Sequence, residues 1–176
     1  MYKLSEKPLI SRQQIEERLD SLAEELRGEN FDYIVSTLTG GFMFTADICR
    51  RIACQKLKIA FIKASSYGNG TESSGNVKLS GLESIDISGK NVLVIDDILD
   101  SGRTMLGITA ALRALGPSKV KTCVLLDKPA RRAVEIQADY VGFSIENEFV
   151  VGYGLDYANE FRTYPEIWTV RETNGQ

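Results

Sequence analysis

The stretch NVLVIDDILDSGRTM, residues 91–105, sets an apolar run, Val92 to Ile95, directly against Asp96, Asp97 and Asp100 and then Ser101-Gly102-Arg103-Thr104. The order reads as a buried strand, a turn, and a helix that starts near Thr104. Amide N–H groups at a helix start lack intrahelical partners and carry partial positive charge, so such a turn cradles an anion such as phosphate. Ser101 and Thr104 add hydroxyl donors, Arg103 adds charge, and Gly102 lets the backbone close around the anion. Carboxylates repel a phosphate unless they face another part of the same ligand. A ribose phosphate resolves the conflict: its phosphate sits on the Ser101–Thr104 turn while its hydroxyls donate to Asp96 and Asp97. The plain alternative is an acidic helix cap. That explains one Asp well, but not three carboxylates joined to S-G-x-T after a buried strand.

The chain of 176 residues contains no histidine. Ser-His-Asp and Cys-His catalysis are therefore excluded, as are His-ligated zinc and haem. Any general base must be a carboxylate, and any metal must be held by oxygens, which favours magnesium. Cys49, Cys54 and Cys123 show no C-x-x-C spacing, so buried reduced thiols are expected. With 43% hydrophobic and 26% charged residues, the composition is that of an ordinary soluble globular protein rather than a disordered one. No apolar run is long enough to cross a bilayer. The N-terminal MYKLSEKPLI lacks the apolar core of a signal peptide, so a cytoplasmic location is expected. A net charge of −3 argues against nucleic-acid binding through bulk charge.

The elements that must position these residues alternate in type. Ser11 and Gln14 form a capping-box pair, and Ile15, Leu19, Leu22, Ala23 and Leu26 recur at helical spacing up to a stop at Gly28. YIVSTL (33–38) reads as a buried strand, then TGG, then a helix through Phe44, Ala46, Ile48 and Ile52. KIAFIKA (58–64) and NVLVID (91–96) are further strands. TMLGITAALRALG (104–116) is a helix closed by Gly116 and Pro117, followed by strands VKTCVLLD (120–127) and DYVGFSI (139–145). Strands alternating with helices predict an α/β domain with a mostly parallel central sheet flanked by helices. Ligands bind such sheets beyond the carboxyl ends of the strands, where Asp96, Asp97 and Asp100 lie. Two segments fit the pattern poorly: SYGNGTESSGNVKLSG (66–81), read as a mobile loop, and everything after Glu146, read as an appended subdomain.

VLVIDDILDSGRTM closely resembles the phosphoribosyl-pyrophosphate signature of type I phosphoribosyltransferases. No G-x-G-x-x-G follows a strand, and no GxxxxGK is present. LLDKPARR, followed by DYVGFSIENEFVVGYGLDYANEFRTYP, resembles the hypoxanthine-guanine subfamily, and the similarity runs from TGGFMFTADI through SSYGNGTESSG to EFR. The resemblance implies the type I fold as a single domain over 1–176. Its core spans about 30–145, and its small hood comes from the N-terminal segment and about 146–176.

It also implies roles. The pair Asp96 and Asp97, with Asp100 and the Ser101–Thr104 turn, would hold the ribose phosphate. Asp100 would be the general base at the purine imidazole. Phe149 would stack on the purine, Lys128 would donate to its ring oxygen, and main-chain groups at Val150 would read its edge. Asp156 would hold magnesium on the pyrophosphate beside the purine site, with Asp96 and Asp97 as further oxygen donors, and Arg162 would contact the same pyrophosphate. Ser66 and Tyr67 would belong to a lid that keeps water from an oxocarbenium-like sugar. Thr39 and Gly40 would lie in the pyrophosphate turn, where the subfamily usually reads Leu-Lys-Gly, often with a non-proline cis bond. Here LTGG keeps the backbone donors and loses the lysine charge. Homodimers or homotetramers are implied as well.

Blander readings stay open at this point: Phe149 as core, Lys128 as solvated, Arg162 as a surface ion pair. Two rival functions do too: a xanthine-preferring relative, and an RNA-binding regulator on the same fold. The second requires a basic face, for which Lys128, Arg131 and Arg132 are the only candidates.

Overall fold

A computed structural model of the chain describes residues 2–66 and 77–172. In chain order its elements are β1 (Tyr2–Leu4), α1 (Arg12–Arg27), β2 (Tyr33–Leu38), α2 (Phe42–Arg51), β3 (Lys58–Ser66) and β4 (Val77–Ser80). There follow β5 (Asn91–Leu99), α3 (Arg103–Arg113), β6 (Lys119–Asp127), β7 (Tyr140–Ser144), β8 (Val150–Val151) and β9 (Trp168–Glu172). Six strands form one sheet in the order β4-β3-β2-β5-β6-β7, all neighbours parallel except the antiparallel β3–β4 pair. This is the mostly parallel α/β architecture expected.

Strand β5 shows why the apolar run does not alternate. Leu93 and Ile95 join a core with Ile15, Leu19, Phe44 and Ile48, under α1 and α2. Val92 and Val94 face the other way, into a core with Met105, Ile108 and Leu112 of α3. A strand covered on both faces is apolar throughout. The sheet order also reverses direction between β2 and β5. The carboxyl ends of these two strands, at Leu38 and at Asp96–Leu99, therefore flank a topological switch point, where a crevice opens.

Several expectations need correction. Strand β5 continues past Asp96 to Leu99, so Asp97 also belongs to the strand, and Ile98 and Leu99 still pair with β6. The 66–81 stretch is not all loop. Val77–Ser80 pairs antiparallel with Lys63–Ser66, and its apolar alternation, Val77 and Leu79, was hidden by the Gly/Ser/Asn-rich context. The capping box at Ser11 and Gln14 is present. Helix α1 ends at Arg27 with Gly28 as its C-cap, as expected, although Gly28 has φ −74° and the left-handed residue is Asn30, at φ 49°. Cys123 is buried, but Cys54 is exposed. After Glu146 the chain forms a small sheet, β1-β9-β8, in which Tyr2 pairs with Glu172. Among the described residues, no helix is long and apolar enough to cross a membrane.

Candidate active site

At the switch point lies a cavity of about 260 Å³ lined by Thr37, Leu38, Gly40, Ala64, the Asp96–Gly102 stretch, Thr104 and Met105. Its floor is the end of β5, and one wall is the turn into α3. Gly102 caps that helix with φ 84°, a left-handed conformation that costs a side-chain-bearing residue free energy. A Cβ there would also meet Ile136 at 2.5 Å and Arg132 at 3.0 Å. The capping glycine has no side chain to accept an amide, and Ser101 Oγ accepts the Arg103 amide at 3.4 Å. The opposite wall is the turn from β2 into α2, where the Leu38–Thr39 peptide is cis. Thr39 is exposed. Gly40 lies so close to Asp97 that a Cβ would run into the Asp97 carboxylate.

Asp96 is only 7% exposed. Its Oδ1 accepts the Thr37 hydroxyl and, at 2.9 Å, the Asp97 amide. Burial first, and the Asp97 charge second, hold the Asp96 carboxyl well above the ordinary carboxylate range. Burial also lifts Asp97, against opposing hydrogen bonds and the positive field of Arg162. The two carboxylates therefore share a charge-poor floor that attracts hydroxyl donors or a cation. Thr37 was missed in the sequence, because its partner is 59 residues away.

Of the other predicted residues, Asp100 lines the cavity, whereas Lys128, Phe149, Val150, Asp156 and Arg162 lie outside its lining. Asp100 Oδ1 accepts Arg131 Nε at 3.1 Å. Lys128 is 6% exposed, and its Nζ donates to the Glu148 carbonyl at 2.6 Å. Burial pulls the Lys128 ammonium below the ordinary lysine range, and the Asp100 charge partly opposes this. Phe149 follows Glu148. It is 51% exposed and meets Tyr157 edge-on at 5.7 Å. Val150 has a buried side chain and pairs with Thr169, so it has only main-chain groups to present. Asp156 Oδ1 pairs with Arg162 Nη2 at 2.9 Å, and the positive field of Arg162 reaches back to Asp97. Ser66 ends β3, opposite Val77. Tyr67 lies outside the described residues.

The basic cluster needed for an RNA face is otherwise engaged. Lys128 is on Glu148, Arg131 on Asp100, and Arg132 on Asp127 and the carbonyls of Leu99 and Asp100. Lys128 and Arg132 are tied into the loop behind the cavity, which leaves Arg131, itself paired with Asp100, as the one exposed cation of the three.

The phosphoribosyl transferase domain family matches residues 9–158. A hypoxanthine phosphoribosyltransferase of Buchnera aphidicola is 42% identical over 169 residues, covering 93% of this chain and 95% of the relative. A hypoxanthine-guanine phosphoribosyltransferase of Aquifex aeolicus is 41% identical over 170 residues, covering 94% and 95%. Among solved structures, a hypoxanthine phosphoribosyltransferase from Staphylococcus aureus superposes with a TM-score of 0.88 at 37% identity, covering 94% of this chain and 91% of that one.

Proposed function

This chain belongs to the phosphoribosyltransferase family, and from that premise we propose that it salvages purines by joining hypoxanthine, guanine or both to phosphoribosyl pyrophosphate. The products are IMP or GMP and pyrophosphate. The observation that carries this reading is the pairing of an acidic floor, Asp96 and Asp97, with a glycine-capped helix start at Ser101–Thr104 in one cavity.

In this reading the 5′-phosphate takes the amides of the Ser101–Thr104 turn, and the ribose hydroxyls donate to Asp96 and Asp97. The purine stacks on Phe149, whose exposed ring supports that role, and Lys128 donates to the ring oxygen. Main-chain groups at Val150 read the base edge. Asp100 takes a proton from the purine imidazole as the glycosidic bond forms, once Arg131 yields its hold. The pyrophosphate lies on the Thr39–Gly40 turn, with Arg162 neutralising part of its charge.

Magnesium fits the donor set. Only oxygens are on offer from Asp156, Asp96 and Asp97, and no group of three or more acidic, His or Cys side chains among the described residues could hold an ion alone. Such a site suits an ion that retains water and substrate phosphate oxygens. When bound, the ion neutralises charge on the leaving pyrophosphate. Self-association as a dimer or tetramer belongs to the same proposal, and the exposed Phe42, Ile59 and Phe61 supply apolar surface for it.

A competition assay with hypoxanthine, guanine and xanthine, phosphoribosyl pyrophosphate and magnesium tests the reading. IMP or GMP as the principal product supports it. Xanthosine monophosphate alone would move the chain to the xanthine-preferring relatives, and no nucleotide at all would remove the enzyme.

A further inference from the structure

The segment that carries Asp156 and Arg162 is held down at one side chain. Gly152, Tyr153 and Gly154 lie consecutively at φ 98°, 50° and 100°, and this left-handed turn drives the Tyr153 ring into the core beside Phe44 and Ile48. Tyr153 is 8% exposed. Its hydroxyl donates to Asp47 Oδ2 in the middle of α2, 106 residues away in sequence. The main chain around it is fixed from the other side. The Tyr153 amide donates to the Tyr164 carbonyl at 2.8 Å, and the Gly154 amide to the Arg162 carbonyl at 2.9 Å. The Arg162 guanidinium donates back to the Gly154 carbonyl at 2.8 Å and pairs with Asp156. Gly154 itself lies so close to the Gly40 carbonyl that a Cβ would collide with it.

The consequence is geometric. Helix α2 begins at the Thr39–Gly41 turn, and the Tyr153–Asp47 bond fastens the Arg162 segment to that same helix. We propose that Tyr153 and Asp47 are positioning residues that set the height of Arg162 and Asp156 over the Thr39–Gly41 turn. Through this they govern the pyrophosphate half of the reaction rather than the purine half. The purine-side groups reach the core by other routes: Lys128 through Glu148, and Val150 through its pairing with β9. The inference rests on the proposed transferase reading, which assigns pyrophosphate to that turn.

The test is steady-state kinetics of Tyr153→Phe, which keeps the ring and removes the hydroxyl, with calorimetric binding of magnesium pyrophosphate to the resting enzyme. Loss of one buried hydrogen bond to a carboxylate predicts a roughly 5- to 20-fold rise in KM for phosphoribosyl pyrophosphate and a parallel weakening of pyrophosphate binding. KM for the purine should stay within about twofold. Asp47→Ala should reproduce the effect, and Asp47→Asn, which retains an acceptor oxygen, should restore near-native values. Equal changes in both KM values, or a lower Tm with unchanged kinetics and pyrophosphate binding, would overturn the positioning role. Absence of turnover in the unaltered enzyme would count against the transferase reading instead. Even then, equal pyrophosphate binding by both proteins would refute the present inference on its own.

Discussion

Helix α1 and helices α2 and α3 begin in opposite ways. At α1, Ser11 accepts the Gln14 amide and the Gln14 side chain accepts the Ser11 amide, closing a reciprocal cap. At α2 and α3 the capping residues are Gly41 and Gly102, and neither provides a side-chain hydrogen bond. A helix start without such a cap leaves amide donors for water or a ligand. The closed start belongs to a helix whose apolar face packs in the core, away from the switch-point cavity; the two open starts both border that cavity. The difference separates what holds the fold together from what was left open for chemistry.

The largest way to break this contrast is to close an open start. Gly102→Ala should lower kcat/KM for phosphoribosyl pyrophosphate by about 10²-fold or more. The new Cβ meets Ile136 and displaces the turn, and a displacement on the order of 1 Å is worth that much. Initial-rate kinetics with each substrate varied would check it. Asp100→Ala should cost turnover about 10²-fold as the general base is lost, with substrate binding less affected. Unchanged kcat would move the base elsewhere.

Asp96→Asn sharpens the contrast differently, by trading function for stability. The amide keeps the Thr37 and Asp97 contacts and removes a buried charge beside Asp97. The folded protein should gain about 0.5–2 kcal/mol near neutral pH while losing activity. The sign follows from the raised folded pKa of Asp96. Its protonation stabilises the native state fully below the ordinary carboxylate range, and that stabilisation is lost as pH rises through the folded value. The stability advantage of the Asn variant should therefore shrink as pH falls through that window, as denaturant melts at stepped pH would show. The smallest effect belongs to the closed start: Ser11→Ala should cost about 1 kcal/mol of stability and leave every kinetic constant unchanged.

What the sequence disclosed was what is local. The Ser11–Gln14 cap, the apolar β5 run and the S-G-x-T turn are each written within a few consecutive residues, and each could be read directly. Val77–Ser80 was missed because Gly, Ser and Asn around it outweigh two alternating apolar side chains. The β1-β9-β8 sheet escaped because its strands are short and pair from opposite ends of the chain. Within the cavity, residue types were legible but partners were not. Nothing near Asp96 announces Thr37, and nothing near Tyr153 announces Asp47. The grouping of Asp100 with Lys128, Phe149, Asp156 and Arg162 exists only once the strands are in register. The strand was expected to end at Asp96 because charge usually ends a buried strand; here hydrogen bonds from Thr37 and from main-chain amides to Asp96 and Asp97 accompany its continuation to Leu99.

The most direct measurement is an amide-resolved NMR titration of the intact protein with ribose 5-phosphate. A phosphate seated on the open start of α3 requires saturable shifts at the amides of Ser101, Gly102, Arg103 and Thr104, with the Gln14 amide in its closed cap unmoved. Saturation of the ligand with those four amides unperturbed would contradict the assignment of this turn.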